Sequence, residues 1–119
     1  MPDGLESLKV YQLANRLAVY VFKITKTFPR SAWSEARQLR RSSSSVADNI
    51  AEAYGRFTFK DRVNKLHIAR GEAEETRKGI ERAGEKDLLP PKVVGFTVEK
   101  YTELMKMING YIKYLRSKK

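Results

Sequence analysis

Residues 38–56, QLRRSSSSVADNIAEAYGR, decide how the chain is read. Four serines in a row, Ser42 to Ser45, ordinarily mark a linker. Here they run into Val46, Ile50 and Ala53, and Leu39 precedes them. Steps of three and four put these apolar residues on one face of a helix. The serines then fall inside that helix, where the stripe would otherwise carry alanine. Serine is small enough for a close helix crossing, and its hydroxyl can bond back to a carbonyl one turn earlier. Two rival readings are weaker. Arg40-Arg41-Ser42-Ser43 fits a basophilic phosphorylation pattern, but a buried serine is no substrate. A nucleophilic serine needs a base beside it, and nothing in the sequence brings the single histidine, His67, to that place.

Working outward, Pro29 and Pro90-Pro91 are the only internal prolines, and helical spacing fills the stretches between them. Val10, Leu13, Leu17, Val21, Ile24 and Phe28 form a first stripe, starting after Ser7 as N-cap and stopped by Pro29. Gly55 suits a left-handed close to the second helix. Thr58 with Asp61 approaches a capping box for the third, whose stripe of Val63, Leu66, Ala69, Ala73, Ile80 and Ala83 is thin. Gly71 and Gly79 lie within it, where close packing against a neighbour would explain them. Pro90-Pro91 opens the fourth helix. The widest stripe follows: Val94, Val98, Tyr101, Leu104, Met105, Ile108, Tyr111, Ile112 and Leu115. Helices are expected over about 7–27, 34–54, 58–85 and 91–116. Joined by short loops, they make an all-α, antiparallel up-down-up-down four-helix bundle in one domain over residues 1–119.

The chain of 119 residues carries +10, of which residues 89–119 hold +5. Such a balance favours polyanions. Arg37, Arg40, Arg41, Arg56, Lys106, Lys113, Arg116, Lys118 and Lys119 are the candidate phosphate contacts. Asn49 and Glu52 stand beside the apolar stripe and need partners. Arg40 and Arg41 are the expected ones, in a structural polar network that fixes register. The width of the fourth stripe points to a subunit interface that uses Tyr101, Met105, Tyr111 and Tyr114. No apolar run approaches the ~20 residues of a membrane span. Residues 1–10 lack the apolar core of a signal peptide, and the chain has no cysteine. A cytoplasmic protein is expected, without metal or cofactor, since no glycine-rich phosphate loop, ligand cluster or dinucleotide fingerprint occurs.

Two resemblances follow from these motifs. Leu8, Val10, Tyr11, Ala14, Phe28 and Pro29 resemble the first helix of the small four-helix-bundle proteins encoded in intervening sequences of bacterial 23S rRNA genes, with tyrosine in place of tryptophan. Gln38, Leu39, Arg40, Arg41, Asn49, Ile50, Ala51, Glu52, Gly55 and Arg56 match their second signature in order and spacing. Ala69-Arg70-Gly71 and Met107-Ile108-Asn109-Gly110 extend the likeness across nearly the whole chain. Ala47 and Ala53 depart from it, replacing a common proline and glycine, and favour a more regular second helix. The resemblance implies a non-enzymatic bundle that assembles as a homopentameric ring. It also brings in the similar accessory proteins of diversity-generating retroelements, basic pentamers that bind nucleic acid and a reverse transcriptase. Five copies would carry about +50 on one particle. The second resemblance is local: Arg62 and His67 are similar to the Arg-x4–6-His motif of the HEPN ribonucleases, although Val63 stands where a polar residue is usual. Three functions are therefore weighed. They are a non-catalytic oligomer that binds RNA or DNA, a protein-interaction scaffold, and a ribonuclease using Arg62 and His67.

Overall fold

The computed structural model describes residues 4, 5 and 8–119; the expected cap at Ser7 lies outside them. Four helices follow one another: α1 Lys9–Ile24, α2 Trp33–Gly55, α3 Phe59–Glu85 and α4 Pro91–Ser117. Each packs on its chain neighbours, and α1 closes the ring against α4. The result is an antiparallel up-down-up-down bundle of 47 × 22 × 21 Å. α1 and α4 make the lightest contact and α2 and α3 the most extensive.

Local chemistry explains the ends. Pro29 ends the first helical segment through two short 3-10 turns, Thr25–Thr27 and Arg30–Ala32. Thr58 caps α3 by accepting from the Asp61 amide at 3.1 Å, and Pro91 occupies the first position of α4. Gly55 does not supply a left-handed close. It stays helical, and Arg56 turns the chain in an extended conformation. The left-handed residue is instead Asp87, φ 60°, between α3 and α4. The Leu88 amide there bonds back to the Ala83 carbonyl at 2.8 Å, and so satisfies the end of α3.

The serines sit inside α2, as their spacing predicts. Ser42 and Ser43 are buried, whereas Ser44 is exposed. Thr76 of α3 donates to Ser42 Oγ at 2.7 Å, and Ser43 donates to the Arg40 carbonyl at 3.2 Å. These small side chains, with Thr76 across from Ser42, let the two helices approach closely while each hydroxyl keeps a partner. Ala47 and Ala53 are buried in the same unbroken helix.

The broad α4 stripe is consumed by the bundle itself. Tyr101, expected at a subunit interface, is 0% exposed in the core. Met105 and Tyr111 pack against the same core; only Tyr114 of the four stands out in solvent. Burial pushes the Tyr101 phenol well above its ordinary pKa, and the nearby Ser43 hydroxyl only partly offsets this. The Ser43 hydroxyl is nevertheless not placed for a well-formed hydrogen bond, and the phenol oxygen has no other partner among the described residues. Of the two α3 glycines expected to mark close packing, Gly79 does lie under a neighbour, since an added Cβ would meet Leu39 Cδ2 at 2.7 Å. Gly71 has nothing within 4 Å.

Two outcomes follow, both read by urea denaturation. Gly71→Ala raises stability by about 0.5–1 kcal/mol, and Gly79→Ala gains less or loses, because Leu39 must move; equal gains would refute the close approach. Tyr101→Phe leaves stability unchanged or raises it by about 1 kcal/mol, since an unpaired buried hydroxyl is removed. A decrease of that size would mean the hydroxyl is bonded.

Candidate nucleic-acid interface

The nine candidate cations do not form one surface. Arg37, Arg40 and Arg41 belong to the first turns of α2. Arg56 follows the end of that helix, about 23–28 Å away at 1.5 Å per residue; Lys113, Arg116, Lys118 and Lys119 approach the same far end, whereas Lys106 sits near the middle of α4.

Arg40 and Arg41 are occupied by the fold. Arg40 Nε donates to Thr25 Oγ1 at 2.8 Å and Nη2 to the Phe22 carbonyl at 3.3 Å. Its guanidinium lies 4.3 Å from the Phe22 ring centroid and 5.1 Å from that of Trp33. A fixed cation at the carbonyl end of α1 is also favoured by the helix dipole. Arg41 bridges to Glu72 at 3.2 Å and to Glu75, and hydrogen bonding to Glu72 is the main cause of its raised pKa. Arg41 is thus neutralised, and Arg40, which has no carboxylate partner among the described residues, is committed to α1 through its hydrogen bonds. Arg37 is exposed, with no ion pair among the described residues.

The expected network of Arg40, Arg41, Asn49 and Glu52 is likewise divided. Arg41 and Asn49 are linked indirectly: Ser45 donates to Glu72 at 3.1 Å, and Asn49 donates to Ser45 Oγ at 3.1 Å. Arg40 points to α1. Glu52 pairs with Lys65 at 3.1 Å and with Arg56 at 3.8 Å, and hydrogen bonding from Lys65 is the main reason its pKa is lowered. Glu72, the hub, could not be picked out from sequence, because a partner across two helices is set by register, which spacing within one helix does not reveal.

The α4 end is different. Lys106, Lys113 and Arg116 are exposed and form no ion pair among the described residues. Lys118 lies 5.6 Å from the Tyr114 ring centroid and Lys119 4.9 Å from that of Phe59, so the end of α4 reaches the start of α3. Burial raises the Tyr111 pKa, opposed by the positive charge of Arg62, while Tyr54 and Tyr114 are close enough to add to it. Arg62 is held by donation to the Arg56 carbonyl at 2.6 Å. Between α2 and α3 stands Phe57, 97% exposed. Lys60 follows one turn on, exposed and without an ion pair among the described residues. Basic and aromatic side chains thus alternate over one end of the bundle. Lys113, Arg116, Lys118 and Lys119 are candidate phosphate contacts from the sequence, and Tyr111 and Tyr114 were expected at a subunit interface instead; Tyr54, Phe57 and Phe59 were not singled out. Phe57 beside Arg56 in a three-residue turn, an apolar ring where no stripe continues, was the signal in the sequence.

The ribonuclease pair does not converge. Residues 62 and 67 are separated by about 140° around a helix of 3.6 residues per turn. Arg62 is taken up by the Arg56 carbonyl, and His67 Nδ1 lies 2.8 Å from Arg70, which also donates to Asn109 at 2.6 Å. Among the described residues no group of three His, Asp or Glu side chains is placed to hold a metal ion, and no helix is long and apolar enough to cross a membrane.

A second surface feature was not anticipated. Val19, Phe22 and Trp33 are exposed near the α1–α2 corner, and Phe96 meets Tyr20 edge-on at 5.5 Å. A groove of about 460 Å³ between α1 and α4 has Leu13, Leu17, Val19 and Tyr20 on its walls, with Arg16, Lys23 and Lys100 at its rim. The run Leu17-Ala18-Val19-Tyr20-Val21-Phe22 was the signal for it, being apolar around more than one face of α1.

Comparison with known proteins accords with this architecture. The family model described as 23S rRNA-intervening sequence protein matches residues 6–110. A crystal structure of a protein with unknown function from the S23 ribosomal protein family of Bacteroides thetaiotaomicron superposes with a TM-score of 0.81. It is 26% identical, over 87% of this chain and 95% of that one. No curated protein matches the chain.

Since Arg40 ties α1 to α2, Arg40→Ala lowers the stability to urea by about 1–3 kcal/mol, and Arg40→Lys recovers only part, lacking the planar fork. An unchanged midpoint for Arg40→Ala would show that the interaction contributes nothing.

Proposed function

The chain belongs to the 23S rRNA-intervening sequence protein family, and we propose that it is a non-catalytic, oligomeric bundle that binds RNA or another nucleic acid through the basic end of α4. The observation that carries this reading is the contrast between two sets of cations. In early α2, Arg40 is built into the fold and Arg41 is paired with glutamates, which leaves Arg37 alone exposed there without an ion pair among the described residues. Those of late α4 are exposed and, among the described residues, free of carboxylate partners. Unneutralised charge at one end of an elongated particle creates a field that attracts phosphate. Contacts of this type are tolerant of sequence and sensitive to salt. Assembly into a homopentamer would gather five such ends, so that weak single contacts act together. A cytoplasmic location, where RNA is abundant, fits this role, and no cofactor is needed for it.

The second reading is a protein-interaction scaffold. The apolar groove between α1 and α4, with its cationic rim, favours it, and a protein partner would then be primary.

The test is fluorescence anisotropy with labelled structured RNA and duplex DNA across a salt series, on protein whose mass is set by light scattering. Binding should weaken steeply with salt. The double variant Lys118→Ala/Lys119→Ala should reduce the slope of log affinity against log salt by about 2, because each phosphate that is no longer neutralised keeps its counterion. Arg41→Ala should leave that slope unchanged. Absence of binding at low salt would remove the nucleic-acid role and leave the scaffold reading.

A further inference from the structure

We infer that the α4 end takes unpaired nucleotides, with Phe57 as a stacking platform for a base. This rests on the nucleic-acid reading above and specifies the ligand of that same site.

Phe57 is a residue that the fold does not explain. It is 97% exposed and makes no ring contact with any described residue. It occupies the middle of the short α2–α3 turn. The backbone there asks for nothing aromatic: Arg56 is extended, and the cap is supplied by the Thr58 hydroxyl. A polar residue at position 57 would satisfy the same turn. An apolar ring held in water is unfavourable for the free protein, so its use lies in what it meets.

The surroundings select the ligand. Arg56 and Lys60 flank Phe57 in sequence. The ends of α4 and α3 are joined beside it, where Lys119 lies over Phe59 and Lys118 over Tyr114. A ligand for this surface must offer negative charge and a flat apolar face within one residue's reach. An unpaired nucleotide offers both. A duplex offers the phosphates but hides the faces of its bases in the stack. Aromatic rings among lysines and arginines are the general arrangement for single strands, in which bases stack and phosphates follow the cations. A two-fold contact of this end with itself would set like charges against each other, and a contact with a different face of the next copy in a ring is separated from base stacking by the mass of the Phe57 variants. Sugar type is not selected by this surface, because stacking face and phosphate are common to RNA and DNA.

The experiment uses the full chain and three labelled probes of about twenty nucleotides: oligouridylate, oligothymidylate and a blunt RNA duplex. Binding is read by anisotropy across salt, and light scattering gives the mass of each variant. Phe57→Ala should weaken both single strands about ten-fold, the effect of unstacking one base, leave the salt slope unchanged and spare the duplex. Phe57→Trp should restore or tighten single-strand binding. Phe57 is exposed, so neither change disturbs the core. If Phe57→Ala binds single strands as well as the parent while Lys118→Ala/Lys119→Ala weakens them, the stacking inference fails and the phosphate-binding reading stands. If no probe binds the parent protein at low salt, both fail. If Phe57→Ala changes the mass of the particle, Phe57 is a subunit contact and the inference is overturned.

Discussion

The close approach of α2 and α3 is the constraint on which the rest depends. A bulky stripe on α2 would hold the two helices apart; Ser42 and Ser43 allow them together, with Thr76 bonded across the seam. Small side chains contribute little apolar burial, so the seam must be held by other means. It is held by satisfied hydroxyls and by Arg41 with its two glutamates along the outer edge. Exposed ion pairs of that kind contribute little individually; their value here is register. The apolar bulk missing from α2 is made up by α4, whose Tyr101, Leu104 and Ile108 are fully buried. The breadth of the α4 stripe and the serine content of α2 are two sides of one packing solution.

That solution also sorts the charges. Arginines where helices meet are recruited to the fold: Arg40 at the α1 carbonyl end, Arg41 at the α2–α3 edge and Arg70 toward α4. The lysines of late α4 are beyond these crossings and remain available. A net charge of +10 therefore overstates the basic surface near α2 and understates the concentration of basic charge at one end. The proposed function follows from this distribution rather than from the total.

The helices and their inward faces were legible because one helix's periodicity is contained in one stretch of chain. Val10, Leu17 and Val21 could be assigned from spacing alone, although Ala14 rather than Leu13 is the fully buried residue between them, and the helix-interior place of the serines followed from their neighbours. What spacing could not provide was any pairing between helices. Glu72 as partner of Arg41 and Ser45, and Leu39 against Gly79, depend on how far one helix slides along another. Tyr101 was misplaced for the same reason: the depth of the core across from α4 is fixed by small residues on a different helix. The α4 cations were visible from composition, but their meeting with Phe57 and Phe59 required the antiparallel return of the chain. Arg62 and His67, near in sequence, are turned to different sides of α3 and engage different partners.

Trp33 is the only tryptophan of the chain, and it sits beside Arg40 at the corner between α1 and α2. It is thus a single optical reporter, placed almost the full length of α2 from Phe57. Its emission senses whether the guanidinium is seated over the rings, and so whether α1 is docked. A ligand held at the far end would leave that signal untouched unless the helices shift together. The molecule therefore separates, without any label, the spectroscopy of its own assembly from the spectroscopy of what it holds.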